Sequence, residues 1–135
     1  MIDDKASDSC PLLTSLNINY MPMDNKTVLE KANAAISEGD HETFLTYCTE
    51  NTKWVFVGDK TLFGKEQVRN YMTDAYKTPP RFDVGYMIGE DDYVMATGTI
   101  SLKNGDGQWT TYDYCDIWRF ENGLMAELRA FVIEK

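Results

Sequence analysis

From residue 24 onward the polar and apolar positions follow two periodicities, first helical and then alternating. In "DNKTVLEKANAAISEGD" (24–40), Val28, Leu29, Ala32, Ala35 and Ile36 recur at the spacing of one helical face, which predicts an amphipathic helix. Asp24, or Thr27 with Glu30 as a capping box, marks its start, and Gly39 supplies the left-handed residue at its end. Asp40 then caps a second, shorter helix with Phe44, Leu45 and Cys48 along one side and Glu42 near the positive end of its dipole. "NTKWVFV" (51–57) is β-branched and aromatic, as strands are, and ends at Gly58-Asp59. A very short strand and Gly64 lead into a third helix, whose apolar face is Val68, Tyr71, Met72, Ala75 and Tyr76 and whose stop is Pro79-Pro80.

Residues 81–135 predict a meander of strands: "RFDVGYMIGE", "YVMATGTISLK", "QWTTYDYCDIWRFE" and "LMAELRAFVIEK". The turns between them fall at Glu90-Asp91-Asp92, Asn104-Gly105-Asp106-Gly107 and Asn122-Gly123, and Asn-Gly is the strongest short hairpin signal. The class is α+β, with helices covering one face of a strongly bent antiparallel sheet. Residues 1–24 show neither periodicity, carry Pro11 and Pro22, and read as an N-terminal tail, so the domain is expected over 25–135.

With 43% apolar and 13% aromatic residues, the 135-residue chain can bury one real core without a metal or disulfide framework. Its 22 acidic against 13 basic residues give a net charge of -9, which repels phosphate backbones and anionic membrane surfaces. Nucleic acid and membrane are therefore not expected partners, and an apolar or cationic ligand fits better. Cys10, Cys48 and Cys115 lie far apart without C-x-x-C spacing, and the N-terminus lacks the regions of a signal peptide, so a reducing cytoplasm is the expected setting. The single histidine, His41, lies in the first turn of the second helix, where a surface position is expected; with scattered carboxylates it builds no metal site. No dinucleotide, Walker, serine-hydrolase or zincin motif is present.

The stretches "SEGDHETF", "NTKWVFVGD", "LFGKEQVRNYM" and "DIWRFENGLMAELRAFV", in this order, resemble the SnoaL-like and nuclear transport factor 2-like superfamily, which includes the ketosteroid isomerases. The resemblance implies three N-terminal helices packed on a strongly curved, mainly antiparallel sheet around a conical pocket, a cystatin-like α+β barrel. It also implies a homodimer through the outer sheet face, for which Ile117, Phe131 and Ile133 are the candidates. No cofactor is implied. The isomerase base position falls on Val55 or Phe56 and the oxyanion tyrosine on about Ala32, so neither role is kept. The position of the acid that stays protonated to donate a hydrogen bond is kept, as Asp116 in "DIWRF". The final-strand acid of the epoxide hydrolases and cyclases falls near Ala130 and is missing.

Strand parity agrees with that assignment. Tyr112, Tyr114, Asp116 and Trp118 share one face, while Asp113, Cys115, Ile117 and Arg119 share the other, with Asp113 and Arg119 read as an outer pair. Among rings, desolvation would favour the neutral form of the Asp116 carboxyl; alternatively the group accepts a hydrogen bond and only anchors the core. Phe44, Tyr47, Trp54, Phe56, Val68, Met72, Tyr76 and Leu128 complete the expected apolar wall. The expected function is binding of a small apolar molecule, as a cofactor-independent lyase, isomerase, dehydratase or cyclase with Asp116 as hydrogen-bond or proton donor. The alternative is a non-catalytic ligand-binding or dimerisation module of the same fold.

Overall fold

The computed structural model describes residues 23–135. The reading of residues 1–22 as a tail lies outside the described residues. Helices α1 (Asn25–Ser37) and α2 (His41–Thr46) come first, followed by strands β1 (Cys48–Phe56) and β2 (Lys60–Phe63). Helix α3 (Gly64–Ala75) follows that hairpin, and strands β3 (Arg81–Glu90), β4 (Tyr93–Lys103), β5 (Trp109–Glu121) and β6 (Leu124–Glu134) complete the domain. They form one six-stranded sheet in the order β2-β1-β6-β5-β4-β3, antiparallel except where β1 runs parallel to β6. The expected fold, helices on a curved and mainly antiparallel sheet enclosing a cone, is the observed one.

Local chemistry sets the boundaries. The Asp24 carboxylate accepts the Thr27 N–H at 2.8 Å, so Asp24 rather than the capping box starts α1, and Gly39 leaves the helix at φ +78°. Asp40 accepts the Thr43 N–H at 3.1 Å to start α2. That helix is shorter than its apolar side suggests. The Met125 N–H donates to the Tyr47 carbonyl at 2.7 Å, which draws the chain into the sheet, and Cys48 opens β1 instead of extending α2. The β5–β6 turn places Asn122 at φ 52° and Gly123 at φ 80°, the double left-handed conformation for which Asn-Gly is chosen.

The core lies between the helices and the concave face. Leu29, Leu45, Val68, Met72, Val94, Phe120 and Met125 are almost wholly excluded from solvent. Across the sheet, residues in register on one face form rows. One inward row is Trp54, Leu128, Trp118 and Val94; the next is Phe56, Ala130, Asp116 and Ala96. The first row is filled by large side chains. The second places its carboxyl between two alanines, and space remains beside Ala130.

Candidate functional site

Two adjoining chambers lie in the cone formed by the described residues. The inner one, about 70 Å³, is bounded by Asn33 and Ile36 of α1, Phe44 of α2, Tyr76 just after α3, and inward side chains of β1, β3, β4, β5 and β6, including Trp54, Phe56, Tyr114, Asp116, Trp118 and Leu128. The outer one, about 300 Å³, shares Phe56, Tyr76, Ile100, Ala130 and Val132 with it and adds Val57, Asp59, Tyr71, Leu102 and Tyr112. A larger cleft of about 620 Å³ lies outside the cone, between the end of α3 and the β4–β5 hairpin. It holds neither Asp116 nor the aromatic cluster and is not the candidate.

Among the described residues, Asp116 is the one carboxylic acid of the inner chamber. Its side chain makes no hydrogen bond or ion pair with any described residue. Removal from water without a compensating partner pushes its carboxyl up to about 7. The core-anchor alternative requires an accepted hydrogen bond, and among the described residues there is none. Burial, with help from Tyr71 and Asp116, pushes the Tyr76 hydroxyl well above its ordinary range, and burial pushes that of Tyr114 to about 12. Both therefore remain protonated donors at neutral pH. Rings stack edge-on around this point: Trp54 meets Phe44 at 5.8 Å and Trp118 at 6.0 Å, and Phe82 meets Tyr114 at 6.3 Å, centroid to centroid. The buried Trp54 Nε1 has no hydrogen-bond partner within the described residues.

Of the residues the sequence singles out, Phe44, Trp54, Phe56, Tyr76, Tyr114, Asp116, Trp118 and Leu128 border the inner chamber, and Tyr112 borders the outer one. Val68 and Met72 border neither: on α3 they face β1 and are fully buried in solid core. Tyr47 is partly buried at the end of α2, away from both chambers. His41 is not on the surface as expected. It is half-buried, edge-on to Tyr76 at 6.5 Å between ring centroids, with Nε2 shielded and unpartnered among the described residues. The outer Asp113–Arg119 pair does not form. Six residues apart on one strand lie roughly 20 Å apart, so each takes a nearer partner. Asp113 meets Lys135 at 3.7 Å, and Arg119 meets Glu121 at 2.6 Å and Glu127 at 3.3 Å. Sequence reasoning passed over Asn33, Asp59, Phe82, Ile100 and Val132. Asn33, next to Ala32, brings an amide to the wall near the position matched to the isomerase tyrosine.

A helix-capped cone whose aromatic interior holds one carboxyl without a partner among the described residues has the architecture of the nuclear transport factor 2-like class. Residues 29–128 match the model of the SnoaL-like domain, and the chain belongs to that family. SalBIII, described as an epoxide hydrolase/cyclase-like enzyme with a role in pyran ring formation in the polyether salinomycin, superposes with a TM-score of 0.74 at 17% identity, covering 80% of this chain and 89% of its own. TerC, crystallised with polyporic acid, superposes at 0.68 with 18% identity over 79% of this chain and 89% of its own. An NTF2-like protein of unknown function from Cytophaga hutchinsonii ATCC 33406 superposes at 0.66 with 19% identity over 82% of this chain and all of its own. At such identities the likeness is one of fold. No curated protein matches the chain.

Proposed function

We propose that the protein is a cofactor-independent lyase, isomerase or cyclase that binds a largely apolar, carbonyl-bearing molecule in the cone and uses Asp116 as its hydrogen-bond or proton donor. The observation that carries this reading is the Asp116 carboxyl, unpaired among aromatic walls and held at about 7, near the pH at which a general acid is most effective. The Asn33 amide and the Tyr76 and Tyr114 hydroxyls offer further polar contacts. Cyclase-like enzymes with the same fold are consistent with the reaction class. A reducing cytoplasm suits the free thiols Cys48 and Cys115.

The test uses 4-tert-butylacetophenone in deuterated buffer. Proton transfer from Asp116 to the carbonyl oxygen, with solvent water taking the α-proton, gives the enol; its return to ketone takes deuterium from solvent at carbon, so the protein is expected to accelerate deuterium wash-in at the acetyl methyl, followed by proton NMR. The acceleration falls as pH rises through about 7, because the donor is the protonated carboxyl. No acceleration above buffer would remove the catalytic reading. Ala130→Leu places a branched side chain beside Asp116 and takes up the inner chamber. Affinity for the ketone, read by tryptophan quenching, is expected to fall at least about tenfold, while added methylenes in a wall with spare room cost no more than about 1–3 kcal/mol of stability. The small volume of the inner chamber favours a second reading, a non-catalytic ligand-binding or dimerisation module. In that case the ketone binds and no wash-in is seen.

The convex face supports a homodimer. Tyr86, Thr97, Cys115 and Phe131 lie in one row across β3, β4, β5 and β6, and Ile88, Met95, Ile117 and Arg129 in the next. Tyr86, Ile88 and Ile133 are 71%, 56% and 69% exposed, an apolar surface of the kind that marks an interface. Ile133→Asp is expected to turn a dimer into a monomer in sedimentation equilibrium. A wild-type chain that sediments as a monomer would exclude this interface.

A further inference from the structure

The outer chamber takes no part in proton transfer at Asp116, yet at about 300 Å³ against 70 Å³ it is the larger space and adjoins the inner one. A ligand whose reacting end reaches Asp116 must leave the rest of its body against Asp59, Tyr71, Leu102 and Tyr112. Among the described residues no lysine, arginine or histidine lines either chamber, and their acids are Asp116 and Asp59. The Val57–Gly58–Asp59 turn fixes Asp59 at the mouth: Gly58 adopts φ +83°, and the Asp59 N–H donates to the Phe56 carbonyl at 2.9 Å. The Asp59 carboxylate pairs with no basic group among the described residues. It lies close enough to Tyr71 for its charge to push that hydroxyl up further after burial has done so.

The basic groups around the mouth stand outside both linings. Lys60 Nζ lies 5.3 Å from the centroid of Tyr71, and Lys77 and Lys103 line the surface cleft beyond Leu102 and Tyr112. Tyrosine faces attract cations through the ring quadrupole, as Lys60 already illustrates, and a carboxylate beside them adds direct attraction. The net charge of -9 raises the local concentration of cations and lowers that of anions.

We propose that the two chambers together bind an elongated amine, with a narrow carbonyl end at Asp116 and a wider, positively charged end in the outer chamber between the Asp59 carboxylate and the rings of Tyr71 and Tyr112. The proposal rests on the carbonyl site described under the proposed function and makes Asp59 a specificity-determining residue.

Three rigid ketones of similar shape test it: the cation 4-acetyl-N,N,N-trimethylanilinium, its neutral isostere 4-tert-butylacetophenone, and the anion 4-acetylbenzoate. Dissociation constants are read from quenching of tryptophan fluorescence, since Trp54 and Trp118 line the inner chamber. The wild-type chain is expected to prefer the cation over the neutral isostere by about tenfold and the anion least. Asp59→Asn should bring the first two close to equal affinity, and Asp59→Lys should place the anion first. Equal affinity for cation and isostere in the wild-type chain, or a preference that survives Asp59→Asn, overturns the amine site even if wash-in still depends on Asp116. Conversely, a cation preference that depends on Asp59 alongside wash-in indifferent to Asp116→Asn leaves the amine site standing and removes the carbonyl acid. Failure of all three ketones to bind overturns both.

Discussion

Replacing Asp116 with asparagine is expected to lower the proposed proton-transfer turnover by roughly 10²–10⁴-fold, the range for loss of a positioned general acid, and at the same time to stabilise the fold above neutral pH. The second effect follows from linkage. The native carboxyl is held at about 7 by desolvation, whereas in the unfolded chain it returns to about 3.9. The native state therefore keeps its proton over a range in which the unfolded state has released it. Below about pH 4 the group costs nothing. As pH rises from there to about 7 the native state becomes progressively less stable, and above that the full penalty of burying a carboxylate remains. Some three pK units correspond to a penalty of up to about 4 kcal/mol. Asparagine carries no charge and escapes it. Urea unfolding of wild-type and Asp116→Asn at pH 4.5 and 8.5 should show the variant ahead by only about 1 kcal/mol at the lower pH and by up to about 4 kcal/mol at the higher one. Every other titrating group is common to both proteins and cancels in the comparison. An equal gap at both pH values would mean that Asp116 is not desolvated. A stability gain with unchanged turnover would mean that it is buried without being the acid.

Asp116 was legible because strand parity is a strict rule: once β5 was placed, Tyr112, Tyr114, Asp116 and Trp118 had to share one face, and the family resemblance assigned that face to the pocket. The row across the sheet was not legible. That Asp116 faces Ala96 on one side and Ala130 on the other depends on the register of β4 and β6, and the small Ala130 side chain is what leaves the chamber room beside the carboxyl. Helical periodicity overreached in the same way. It identified the apolar face of α3 but could not distinguish Val68 and Met72, packed solidly on β1, from Tyr76, whose ring reaches the chamber after the helix has ended. Asp59 gave no signal either. A Gly-Asp pair after a strand reads as a turn, and only the closure of the cone brings that turn to the mouth. The same limit explains Asp113 and Arg119: parity placed them on one face, but distance along the strand assigned them to different partners.

Gly98→Ala is expected to destabilise the protein by at least about 3 kcal/mol, at the upper end of what overpacking costs. A Cβ built on Gly98 would lie 2.2 Å from the carbonyl oxygen of Asp83, 3.0 Å from the Cα of Val84 and 3.1 Å from the carbonyl carbon of Asp83. All three are backbone atoms of β3, so no side-chain rotation can relieve the contact. The close approach arises where the β3–β4 register shifts between Val84 and Tyr86, leaving Gly85 as the extra residue of a bulge. The bulge bends β3 over its neighbour, and Asp83 and Val84 are thereby pressed onto Gly98. Phe82, next to the crowded Asp83, supplies one wall of the inner chamber and meets Tyr114 edge-on. An alanine at 98 must push this strand outward, which loosens the wall as well as the ladder. Ketone affinity should therefore fall together with the denaturation midpoint. Gly105→Ala is the control. It sits in the β4–β5 turn with no described residue within 4 Å of the added carbon, so its stability should match or slightly exceed that of the wild type. If Gly98→Ala unfolded at the same urea concentration as Gly105→Ala, β3 could not be packed onto β4 at this bulge, and the enclosure of the chamber by Phe82 would be wrong as well.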